Sequence, residues 1–86
     1  MHQSHSIIIP RLKRAEGHLR SVIAMIEAGK PCVELAQQLH AVEAAIAKAK
    51  KELIQDHIEH CLTDARDAAP EQKSMITELK QLAKYL

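Results

Sequence analysis

The chain has 86 residues, is 47% apolar yet holds a single Tyr85 and no Phe or Trp, and so forms one small domain of thin helices that must gain core by packing against other chains. Two cysteines, with no secretory signal and no apolar run near a membrane span in length, exclude a disulfide scaffold and a membrane protein and point to the reducing cytoplasm. The formal net charge of +1 hides a polarity: Arg11, Lys13, Arg14 and Arg20 oppose only Glu16 early on, whereas Glu52, Asp56, Glu59, Asp64, Asp67 and Glu71 oppose only Arg66 later.

Residues 1–6 read as a flexible polar tail carrying His2 and His5. From Ile7 or Pro10 a helical pattern runs to Ala28, with Ile8, Leu12, Ala15, Leu19, Val22, Ile23 and Ile26 recurring at helical steps. Gly29 stops it, and Pro31 suits the first turn of the next helix, where its missing N–H costs nothing. Neither Gly nor Pro occurs between Cys32 and Ala69, and Leu35, Leu39, Val42, Ile46, Ala49 and Leu53 step by four and three in alternation, a heptad seam on one long helix ending near Leu62 to Arg66. Pro70 opens a third helix with Met75, Ile76, Leu79, Leu82 and Leu86. No strand-like alternation occurs, so the class is all-α: a three-helix protomer with one long central helix, and residues 1–86 a single domain.

The chemistry-bearing stretch is "LIQDHIEHC". Cys61 follows His57 by four residues, so the two side chains lie one turn apart on one helix face, within reach of one metal ion. His60 is displaced around the helix and ranks as a reserve ligand. Cys32, the other thiol, precedes His57 by 25 residues, roughly 37 Å along an unbroken helix, so one chain cannot close the site. An antiparallel pair can: with Cys32 level with a point between His57 and Cys61, the helices cross near residue 45 or 46. There Ala44, Ala45, Ala47 and Ala49 permit close approach. Two-fold symmetry then makes two intersubunit Cys-His-Cys sites. Two thiolates and an imidazole suit Cu(I) or Zn(II), or Ni(II) and Co(II) where further nitrogen donors join. His18 and His40, like His60, read as solvated side chains.

Together "RLKRAEGHLRSVIAMIE", the cysteine in "GKPCVELAQQLHAVEAAI" and "LIQDHIEHCL" resemble the CsoR/RcnR family of bacterial metal-sensing transcriptional repressors, over nearly the whole chain. The resemblance implies an antiparallel helical dimer assembling into a disc-like tetramer. It also implies a homotetrameric, cytoplasmic repressor that binds operator double-stranded DNA without a helix-turn-helix and is released on ligand binding. It places DNA-binding positions on Arg11 and Lys48, with Lys13, Arg14, Lys50 and Lys51 beside them, in keeping with the basic segments and with phosphate neutralisation as the source of affinity.

The inducer is open between Cu(I) and Ni(II) or Co(II). Copper sensors carry a tyrosine where this chain has Pro31, and their acidic residue behind the histidine would fall near Thr77, with Glu78 adjacent. The histidines of "MHQSH" resemble those of nickel and cobalt sensors, which add an N-terminal nitrogen ligand; His2 or His5 would supply it here. The alternative is a repressor of the same fold responding to persulfide or formaldehyde through Cys32, with or without Cys61. An enzyme is not expected, because no third residue orients a Cys–His pair and no oxyanion loop is evident.

Overall fold

The computed structural model describes residues 5–64 and 72–86, with backbone alone at 61–64 and 72–73. Three helices follow in order: α1 (His5–Glu27), α2 (Cys32–Asp64) and α3 (Gln72–Ala83). No strand occurs among the described residues. Helices α1 and α2 form an antiparallel hairpin, and α3 packs on the far end of α2. Principal extents of 58 × 24 × 13 Å make the protomer about one helix thick.

Helix begins earlier than the tail's polarity suggests: α1 takes in His5 and Ser6, so the expected flexible segment 1–6 is helical at its last two positions, and residues 1–4 lie outside the described ones. Pro10 therefore sits inside α1, where it has no N–H to donate to the helical ladder. Burial holds this first turn in place, since Ile8 is 3% exposed. Pro31 stands one position earlier than expected: its carbonyl accepts from the Leu35 N–H at 3.1 Å, making it the residue that caps α2, with Cys32 first in the helix. Pro70 falls outside the described residues.

Gly29 makes the turn between the helices. Its φ of +75° is left-handed. The Lys30 N–H reaches back to the Met25 carbonyl at 3.1 Å and the Gly29 N–H to the Ile26 carbonyl at 3.0 Å. Those two bonds form a Schellman cap, which satisfies the terminal carbonyls of α1 and reverses the chain within a few residues.

The core is a pair of heptad rows. Ile8, Ala15 and Val22 of α1 are buried at seven-residue spacing, opposite Val42 and Ala49 of α2, with Ile54 closing the α3 end. Rows four residues further on are exposed: Leu12, Leu19 and Ile26 on α1 at 40–53%, Leu39, Ile46 and Leu53 on α2 at 37–45%. Four residues advance a helix by one turn plus about 40°, and because the helices are antiparallel that offset turns both rows to the same side of the hairpin. The seam of α2 is thus split, one half packing on α1 and the other forming an uncovered apolar ledge.

The two glycines separate conformation from space. Neither has an atom within 4 Å of an added Cβ, but only Gly29 has a positive φ. Gly29→Ala is expected to destabilise the fold by about 1 kcal/mol, and Gly17→Ala, inside α1, to stabilise it by up to about 1 kcal/mol. Urea unfolding at fixed protomer concentration reads both; equal effects would contradict this account of the turn.

Candidate metal and nucleic-acid sites

Helix α2 holds Cys32 and His57 at opposite ends, and the protomer does not fold back to join them. Cys32 is an exposed free thiol in the first position of the helix. The backbone of Cys61 continues the helix one turn past His57, while its side chain lies outside the described atoms. Among the described residues no three His, Cys, Asp or Glu side chains converge in one protomer as a metal set.

His57 is half-buried where α2 meets α3. Its Nε2 lies 2.7 Å from Glu78 Oε1, an ion-pair approach whose angle falls outside hydrogen-bond geometry. Of the neighbouring positions expected behind the histidine, Thr77 and Glu78, it is Glu78 that stands against the ring. A small cavity of ≈ 200 Å³ opens here, lined by His5, Leu53, Ile54, His57, Glu78 and Leu82. Extension of α1 to His5 is what brings an N-terminal histidine to the wall of the cavity that His57 lines. His2 lies outside the described residues, and His60 is exposed on the outer side of α2.

The opposite side of the hairpin from the apolar ledge is polar. Rows four residues before the core positions face one another there. Arg11 pairs with Glu52 through Nη1 and Oε2. His18 Nε2 and Gln38 Oε1 are 2.6 Å apart. These contacts bridge α1 to α2, so His18 is an interhelical link and not a solvated side chain; His40, by contrast, is exposed. An open cleft of ≈ 550 Å³ lies along this side, lined by Arg11, Arg14, Ala15, His18, Ala45 and Lys48.

Three of the six basic residues expected at DNA thus converge, from two helices, on one cleft. The other three do not line it. Lys50 and Lys51 follow the buried Ala49 by one and two residues, turning by about 100° each, and Lys13 precedes Ala15 by two; all three are exposed elsewhere around the hairpin. Glu52, His18 and Gln38 were not apparent as site residues in the sequence. Their signal is register: each stands four before or three after a core position, on the side away from the ledge.

Among the described residues no helix is long and apolar enough to cross a membrane. A family model described as "Metal-sensitive transcriptional repressor" matches residues 4–85. The chain is 41% identical over 58 residues to the copper-sensing transcriptional repressor CsoR of Bacillus subtilis (strain 168), covering 67% of this chain and 57% of that protein. It is 38% identical over 55 residues to the copper-sensing transcriptional repressor RicR of Mycobacterium tuberculosis (strain ATCC 25618 / H37Rv), covering 64% and 57%. These matches span little more than half the length of either relative. Among solved structures, that of the nickel-responsive transcriptional regulator InrS superposes with a TM-score of 0.84 at 30% identity, covering 100% of this chain and 97% of that one. With all but the first three residues and the last matched by the family model, on a fold shared from end to end with InrS, the chain belongs to the CsoR/RcnR family of metal-sensitive transcriptional repressors.

Proposed function

We propose that this chain is a metal-responsive repressor that holds operator DNA when metal-free and releases it on binding Cu(I), or Ni(II) or Co(II). The metal ligands are Cys32 of one protomer with His57 and Cys61 of its partner, and His5 is an additional nitrogen donor for a nickel-type site. The observation that carries this reading is the separation of Cys32 and His57 on one continuous 33-residue helix, with an uncovered apolar ledge running between them. A second copy laid antiparallel along Leu39, Ile46 and Leu53 buries the ledge and brings the two ends together. One packing arrangement then serves both dimerisation and assembly of the ligand site.

The residues present fit a transition metal. Thiolate and imidazole donors match the soft-to-borderline preference of these ions. A carboxylate behind a ligating histidine fixes the orientation of the ring, and Glu78 stands where it can do this for His57. A bound ion supplies a cross-link between the ends of two long helices. Arg11, Arg14 and Lys48 meet backbone phosphates from the cleft on the other side of the hairpin. Because the basic cleft and the ligand-bearing end share α2, a change in how two copies of α2 cross alters the spacing of the clefts. Such coupling is reciprocal, so DNA weakens metal binding by the factor with which metal weakens DNA binding.

The split site is tested by mixing. Cys32→Ala and His57→Ala chains each fail to bind metal alone, but after subunit exchange one intact site forms per mixed dimer, and metal titration recovers part of the stoichiometry. No recovery would sink the intersubunit arrangement. Glu78→Gln is expected to lower metal affinity about 10- to 100-fold while leaving metal-free DNA binding unchanged, as read by chelator competition and by fluorescence anisotropy. Ile46→Glu places a charge on the ledge and is expected to break the oligomer, with loss of helix if the lone protomer cannot stand; an unchanged sedimentation coefficient would contradict the proposed dimer face.

The exposed Cys32 thiol also suits a repressor switched by sulfur species or formaldehyde. A His57→Ala chain that still releases DNA on polysulfide treatment, with a Cys32 adduct by mass spectrometry, identifies that alternative.

A further inference from the structure

Arg11 differs from the other basic residues of the cleft in being already engaged. Its guanidinium pairs with the Glu52 carboxylate across the hairpin, whereas no anionic partner stands against Arg14 or Lys48 among the described residues. Glu52 follows Lys48 by one helical turn, so the same carboxylate borders two of the three cations. Both members of the pair are about a third exposed, at 37% and 32% of their side chains, within reach of solvent and of an incoming anion.

We propose that Glu52 is a built-in competitor for DNA phosphate: it occupies Arg11 in the free protein, and DNA binding exchanges the carboxylate for a phosphate. The proposal rests on the reading of this cleft as the DNA contact. A carboxylate and a phosphate present similar oxygen pairs to a guanidinium, so either satisfies it. Partial exposure makes the exchange feasible, because an ion pair in contact with water is weakly held, while a fully buried one resists replacement. The displaced carboxylate remains well within a Debye length of the bound phosphate and repels it. Glu52 thus lowers the affinity of the cleft and, by sparing Arg11 a bound counter-anion in the free state, flattens the dependence on salt. A repressor that must let go on cue gains a complex that is easier to dissolve.

The test uses metal-free protein and a fluorescein-labelled mixed-sequence duplex, followed by anisotropy over a range of KCl. Four chains are compared: wild type, Glu52→Gln, Arg11→Ala and the double variant. Glu52→Gln retains a hydrogen-bonding side chain for Arg11 and is expected to bind about 3- to 10-fold more tightly at low salt, with a steeper salt slope. Arg11→Ala is expected to bind more weakly, and the Glu52 substitution to add a smaller gain in its background, where only the repulsion between carboxylate and phosphate is relieved. If Arg11→Ala loses affinity but Glu52→Gln does not gain it, the competitor is refuted and the DNA-contact reading survives. An equal gain with and without Arg11 is a bulk-charge effect and also refutes it. Undiminished binding by Arg11→Ala removes the reading and the inference together. Circular dichroism accompanies each variant, and Glu52→Ala repeats the comparison; loss of helix in both Glu52 variants assigns the residue a structural role and overturns the proposal.

Discussion

The hairpin is one helix thick, and that limit governs the rest of the molecule. Two antiparallel helices have only one mutual interface, so an apolar stripe wider than a single heptad row cannot be buried within the chain. Ile8, Ala15, Val22, Val42 and Ala49 use up that interface. The rows beginning at Leu12 and Leu39 are left 37–53% exposed, and completing the burial of each large side chain is worth roughly 1 kcal/mol. In the proposed dimer, association supplies the missing burial and brings the ends of the long helices together.

The two proposed activities share a helix without sharing a surface. Arg11, Arg14 and Lys48 open to one side of the hairpin, the apolar ledge to the other, and the His57 cavity to the end where α3 docks. A continuous helix carries displacement along its length because its backbone bonds leave no soft joint, and α2 has neither Gly nor Pro inside it. Helix α1 differs: Pro10 removes one backbone bond between His5, at the cavity, and Arg11, at the cleft.

Much of this was legible from the residues because heptad spacing is both a sequence pattern and a packing instruction. The seam from Leu35 to Leu53 marks the long helix, Gly29 the end of the helix before it, and the 25-residue gap from Cys32 to His57 their separation to opposite ends of α2. Periodicity did not say which half of the seam would face α1, since alternate rows are equally apolar. The polarity of His5 and Ser6 concealed their helical state, which depends on tertiary burial of Ile8. The resemblance puts the acidic neighbour of His57 near Thr77 with Glu78 adjacent, and only the packing of α3 on α2 selects Glu78. The Arg11–Glu52 and His18–Gln38 pairs escaped notice because charge runs were read along the chain and not across the hairpin.

The Schellman turn at Gly29 has a consequence for how such a chain can vary. By reversing direction in so few residues it fixes the phase of α2 against α1, setting Arg11 across from Glu52 and His18 across from Gln38. One residue inserted into either helix rotates everything beyond it by about 100°, exchanging ledge, core and cleft positions at a stroke. A residue inserted between Gly29 and His57 would therefore break the register of the whole hairpin, whereas a substitution at either end of α2 would leave the distance between its two ends, a fixed ruler of helical turns, unchanged.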